Sequence, residues 1–278
     1  EKVGNNYKTL AFHLVSEIFF GGIETTDDVH KWFKRSLAYF QNKVFDDSIV
    51  DSTLELLRKC GAIIEEEGIW KARTIGKVAS MFYMSPFDVS DIYFNFSKLF
   101  ESNRQDDDHA LSMAIGNIDS QRSNIVNRQE KDEMSVYANK VRITNGFLMD
   151  GAIKAGYCYY LLLNGANSQA CASFQRNLQN DFNRISQVLM ALDSMGGQWK
   201  KAGWLKTLEG RIAYGVPVHL LDLCRIPNVG KVRANKLYDA GIKTLKQFQA
   251  SDLAKLKSLL NLKEDALKTM LEKSKDLK

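Results

Sequence analysis

The sequence is short of the residues that active sites are built from. Its four histidines (His13, His30, His109, His219) lie far apart and form no H-E-x-x-H or H-x-E pattern. Its four cysteines (Cys60, Cys158, Cys171, Cys224) contain no C-x-x-C pair, so the usual zinc spacing is excluded. They read as four buried thiols of an intracellular protein, in cytoplasm or nucleus. No G-x-x-x-x-G-K-[ST] loop is present, because Gly230-Lys231 alone does not qualify, and no G-x-G-x-x-G follows a strand. No nucleophile–base pair stands out. The chain is therefore expected to catalyse nothing by itself, with no catalytic residue, metal ligand or cofactor of its own. The acidic triplet Asp106-Asp107-Asp108 lacks the spaced ligands of a calcium loop and reads as a solvated loop. No apolar run reaches the roughly 18 residues of a membrane span, so no membrane partner is expected. "GYCYYLLL" (Gly156 to Leu163) is too short for one and reads as a buried helix segment. No signal peptide is evident. The chain begins with Glu1 rather than Met, as expected of a fragment or processed product. Only Pro86, Pro217 and Pro227 interrupt it, so long helices meet few breaks.

What is present is ordinary in composition and uneven in charge. The chain is 45% hydrophobic and 26% charged, as in globular proteins, and 278 residues allow two or three cores. From Lys200 to Lys278 there are 17 Lys and Arg against 8 Asp and Glu, a net +9, while the whole chain carries +5. The remainder is thus at −4. A basic C-terminal module on a slightly acidic body is the footprint of a polyanion binder.

That module contains "IPNVGKVRANKLYDAGI" (Ile226 to Ile242), two short helices joined by a tight hairpin. Pro227 fixes its own φ, and Asn228 and Gly230 are residue types that tolerate positive φ. The following helix opens with Lys231 and Arg233, against its own dipole unless an anion is near. Its first amides have no partner within the helix. The amides of Val229, Gly230 and Val232, with Asn228 at the turn and the side chains of Lys231, Arg233 and Lys236, are the main candidate contacts to a phosphate backbone. A fainter echo, "LLNLKEDALKTML" (Leu259 to Leu271), repeats the Asn and the apolar residue without the glycine. It reads as a degenerate second hairpin completing a small helical core.

Periodicity makes the fold mainly α. Helices are expected over Tyr7–Phe19, from an N-cap at Thr26 to Phe40, and over Asp47–Lys59. "AIIEEEGIWKART" then reads as a β-hairpin turning at Glu67-Gly68. Three helices and a hairpin make a winged-helix plan, expected over 1–86. Its third helix carries Asp47, Asp51 and Glu55, which suits a structural role better than groove reading. A helical bundle is expected over 87–215, with helices at His109–Ile118, Glu133–Gly146, Phe147–Asn164 and Ser168–Met195. In the last of these Phe182, Ile185, Val188, Leu189, Leu192 and Met195 share a face. Asn180, Arg184, Gln187, Ala191 and Ser194 form a second stripe, fitting either a channel for a strand or a solvated face. Trp199 and Trp204 suit packing between elements or stacking on bases, packing being favoured. Residues 216–278 form the terminal helix-hairpin-helix module.

This order resembles the C-terminal half of the Ski-type superfamily-two DNA helicases, in the branch of the archaeal Hjm enzymes, HELQ and the helicase part of polymerase theta. "TIGKVASMFYMSP" (Thr74 to Pro86) is similar to the family's segment after the wing. "LEGRIAYGVPVHLLDLCRIPNVGKVRANKLYDAGIKTLKQF" (Leu208 to Phe248) is similar to its run into the terminal hairpin. The resemblance implies a winged helix bracing a motor, a bundle whose ratchet helix crosses single-stranded DNA, and a terminal module that grips the strand. The ratchet helix falls on Asp181–Met195 and the family's strand-contacting Arg on Arg184, with Gln187 beside it. The family's stacking Trp falls on Ala191, so that contact is missing. The resemblance further implies upstream RecA-like motor domains using ATP and Mg, single-stranded or forked DNA as partner, and a monomer. The residues alone also admit a stand-alone DNA-binding adaptor, or a protein-interaction cassette of an RNA-remodelling helicase.

Overall fold

The computed structural model describes residues 6–40, 48–196 and 199–277. Within them the chain is mainly helical, with one two-stranded sheet. The first elements are α1 (Asn6–Phe20), α2 (Thr26–Lys34), α3 (Leu37–Phe40) and α4 (Ser48–Lys59), followed by β1 (Ile63–Glu66) and β2 (Ile69–Ala72). The strands pair antiparallel from Ile63 with Ala72 to Glu66 with Ile69. Glu67 (φ 54°) and Gly68 (φ 78°) make the turn, both in the left-handed region that tight hairpins require.

Both ends of α2 differ from expectation. Thr25, not Thr26, caps α2: its side chain accepts from the Asp28 amide while the Asp28 carboxylate accepts from the Thr25 amide. Thr26 instead accepts the Trp70 indole N–H at 3.0 Å, which ties the β-hairpin to the helix. The helix expected to continue to Phe40 stops at Lys34, and Ser36 Oγ accepts from the Tyr39 amide to start α3. The expected start of the third helix at Asp47 lies outside the described residues.

Next come α5 (Thr74–Met81), α6 (Pro86–Glu101), α7 (Asp108–Gly116), α8 (Asp119–Arg122), α9 (Arg128–Asn145), α10 (Asp150–Leu163), α11 (Ala172–Gly196) and α12 (Ala202–Tyr214). Helix α9 starts five residues before its expected position because Asn127 and Glu130 form a reciprocal cap. Helix α10 starts after expectation, leaving Phe147 93% exposed in the connection.

One hydrophobic core runs from Ala11 to Ile212 without a break at residue 86, through Val15, Leu57, Val78, Phe96, Tyr159 and Val188. A satellite cluster of Met134, Tyr137, Val141 and Ile153 lies under α9. A separate cluster runs from Val216 to Met270. It is built by a short 3-10 turn (Val218–Leu220), α13 (Leu221–Cys224), α14 (Lys231–Asp239), α15 (Leu245–Gln249), α16 (Leu253–Leu260) and α17 (Glu264–Lys275).

The last cluster is docked on the bundle by backbone contact. Gly165 (φ 59°) and Gly215 (φ 60°) meet so closely that a Cβ on Gly215 would lie 2.3 Å from the Gly165 Cα. Beside them, buried Arg211 pairs with Asp108 at 2.6 Å, and Asn164 Nδ2 donates to the other Asp108 oxygen. Among the described residues no helix is long and apolar enough to cross a membrane.

Candidate nucleic-acid interface

The turn before α14 is built from local backbone rules. Asn228 takes φ 64°, the conformation that Asn tolerates better than most residues. Ile226 and Val229 are buried beneath it, at 1% and 3% exposure, so the turn is anchored from below while Asn228 and Gly230 face water. Gly230 caps α14, and no side chain caps the helix. The amides of Gly230, Lys231, Val232 and Arg233 therefore have no hydrogen-bond partner among the described residues.

Three expectations about this turn are corrected. The Val229 amide is not free: it donates to the Ile226 carbonyl at 3.0 Å, because the turn closes on itself there. Gly230 is not in the left-handed region; at φ −95° and ψ −174° it is extended. Lys231, though exposed, is engaged rather than free. Its ammonium donates to the Asn164 carbonyl, at the C-terminal end of α10, where the helix dipole and an unpaired carbonyl attract a cation.

Gly230 then raises a physical question. Its φ suits any residue, and a Cβ added there would meet no heavy atom within 4 Å. Neither strain nor internal crowding calls for glycine. A group approaching the backbone from outside would.

The cations that remain available are grouped. Arg233 is half-buried, and its Nη1 donates to the Asn228 carbonyl at 2.6 Å, which holds the guanidinium over the turn. Lys236 follows three residues later on the same helix face and is exposed. A cleft of about 370 Å³ is lined by Pro227, Asn228, Arg233, Thr269 and Lys273. Lys273 and Thr269, both exposed on α17, were not foreseen. They lie some 40 residues along the chain from Arg233 and join it only because α17 folds back.

Arg184 and Gln187 lie apart from this cleft, exposed on α11. The stripe they belong to differs from expectation. Ala191 is 9% exposed and part of the core, whereas Met195, expected in the core, is 42% exposed. Met195 follows Ala191 by one turn, so it continues the stripe. Gly197, the second of the two glycines that follow Met195, lies outside the described residues.

The other candidates have structural work. Trp199 stacks on Tyr93, with centroids 5.7 Å apart, and donates to Ser97 Oγ at 2.9 Å; Trp204 meets the Phe100 ring edge-on at 5.5 Å. The acidic triplet is divided: Asp107 caps α7 and pairs with Arg104, Asp108 holds Arg211, and Asp106 faces the Trp204 indole. Among the described residues no three His, Cys, Asp or Glu side chains gather as metal ligands. On α4, Glu55 binds Arg58 and Lys59, and the bond from Arg58 first of all holds its carboxyl at about 2. The two cations at the end of that helix thus share one carboxylate.

No family model matches the chain. Curated relatives do. One is the ATP-dependent DNA helicase Hel308 of Thermoplasma volcanium, 22% identical over 95% of this chain and 39% of the relative. Another is the ATP-dependent DNA helicase Hel308 of Thermoplasma acidophilum, 22% identical over 99% of this chain and 40% of the relative. The chain resembles the C-terminal region of a Ski2-type helicase. It spans about two fifths of the length of the Hel308 relatives it matches.

Proposed function

We propose that the chain is the nucleic-acid-engaging C-terminal part of an ATP-dependent DNA helicase acting in fork repair. In this reading residues 1–86 form a winged-helix unit that braces the motor, residues 87–215 a ratchet bundle, and residues 216–278 a helix-hairpin-helix unit. ATP and Mg belong to upstream RecA-like motor domains, whose phosphate-loop pattern is absent from these 278 residues. The chain itself holds single-stranded or forked DNA without reading sequence.

The observation that carries the reading is Gly230. It stands with free amides on its helix side, close in the chain to Asn228 and Arg233, which line a cleft with Lys273, at a position where the fold itself has no need of glycine. Unpaired main-chain donors flanked by cations suit a phosphate, and phosphate contacts carry no sequence information. Arg184 and Gln187 extend the same kind of surface along α11. The similarity to Hel308 helicases supports the choice of DNA.

The test is a salt-dependent titration of labelled single-stranded oligonucleotides. Arg233→Glu with Lys273→Glu weakens binding roughly tenfold, alike for all sequences, and lowers the salt slope by about 1.4, as for two lost phosphate contacts. Lys231 is a poor choice for this test, since replacing it also disturbs the contact with Asn164. Gly230→Ala leaves the melting temperature unchanged and still weakens binding. Parental affinity in both variants refutes the reading.

A further inference from the structure

Where α11 ends against α5, a cleft of about 450 Å³ is lined by Gly61, Arg73, Thr74, Tyr93, Phe94 and Gly196. It lies at the far end of the Arg184 stripe, because Gly196 directly follows Met195 and a Cβ on it would be 3.9 Å from Thr74 Cγ2.

The lining is unusual in two ways. Phe94 is 57% exposed, a large apolar ring left in water. Its far side is braced: Tyr93 meets it edge-on at 5.3 Å and is itself stacked on Trp199, whose N–H is fixed by Ser97. The ring is therefore held by a rigid aromatic row rather than free to fold away. Arg73 is exposed and forms no ion pair among the described residues. Lys98, exposed one turn beyond Phe94 on the same face of α6, adds a second cation, and exposed Glu101 marks where that basic stretch ends.

We propose that this cleft binds one nucleotide of single-stranded DNA, with its base stacked on Phe94 and its phosphate at Arg73. An aromatic face accepts any base, and a guanidinium accepts any phosphate, so the site grips without reading sequence. Phe94 then supplies, from α6, the stacking surface that α11 lacks at Ala191. The inference rests on the single-strand reading above and adds a second station to it.

Anisotropy titrations of the full chain with a labelled oligothymidine and a matched duplex test it. Phe94→Ala raises the single-strand Kd at least about fivefold, the low end of base stacking, and leaves the duplex Kd unchanged, because paired bases are not available to stack. Phe94→Trp keeps parental single-strand affinity. Arg73→Glu weakens single-strand binding and flattens its salt dependence. Unchanged melting temperatures establish that the exposed substitutions leave the fold intact. Parental single-strand affinity in Phe94→Ala overturns the cleft while leaving the hairpin reading standing. Equal losses on single strand and duplex overturn stacking. A parent chain that binds no single strand overturns both readings.

Discussion

The C-terminal unit carries the same hairpin twice, and the copies differ in the residues that face water. Asn228 and Asn261, 33 residues apart, both take left-handed backbone, at φ 64° and φ 51°. Each is followed by an apolar residue turned to the common core, Val229 or Leu262, then by a cap, then by a helix. In the second copy the cap is Lys263 and the first turn holds Glu264 and Asp265. In the first copy the cap is Gly230, and Lys231 and Arg233 stand in the first turn. Acids at a helix start stabilise it and cations oppose it, by about 0.3–1 kcal/mol each. The second hairpin is arranged for its own stability. The first has its charges reversed and a bare backbone at its cap, as expected of a surface shaped for an anion.

The comparison can be broken at its shared foundation. Phe248 is fully buried in the core that both hairpins rest on. Phe248→Ala costs about 3–5 kcal/mol and unfolds the C-terminal unit before the rest, visible as a separate transition in chemical denaturation. Retention of one hairpin's exchange protection in that variant would show that the two have separate supports. A smaller effect separates backbone from side chain. Asn228→Ala and Asn261→Ala each lose about 1 kcal/mol, the cost of a left-handed residue without Asn's local hydrogen bonds. Equal stability losses with a binding defect only in the first variant sharpen the contrast; a binding defect in both removes it.

The smallest effect is in pH. The bond from Lys268 holds the Glu264 carboxyl below its ordinary value. A depressed carboxylate stabilises the fold above its unfolded value, about 4.3, and that contribution is lost as pH falls through the lower folded value. Protection at the start of α17, measured relative to the intrinsic exchange rate at each pH, therefore falls slightly as pH drops below about 4.3, while the start of α14, which has no acid in its first turn, shows no such step.

Local signals made much of this legible in the sequence. Asn228 and Pro227 mark the turn by their own φ preferences, and the β-hairpin at Glu67-Gly68 declared itself the same way. The charge reversal between the two hairpins needs no coordinates at all. What stayed hidden depends on residues far apart in the chain. Lys231 is engaged because Asn164, 67 residues earlier, ends a helix beside it. Lys273 enters the cleft only through the return of α17. Ala191 is covered by tertiary packing of the main core, while Met195, apolar and at helical spacing, stays exposed. The cap expected at Thr26 moves to Thr25, and it is Trp70, 44 residues on, that engages the Thr26 hydroxyl.

Gly165 and Gly215 cannot drift independently. Each has a left-handed φ, and a methyl on either would strike the main chain of the other, Gly215 O at 2.5 Å from one side and Gly165 Cα at 2.3 Å from the other. Natural variants should therefore keep both glycines or change both together, like a rivet that holds only with its two halves. A substitution at one alone would reseat the terminal unit on the bundle.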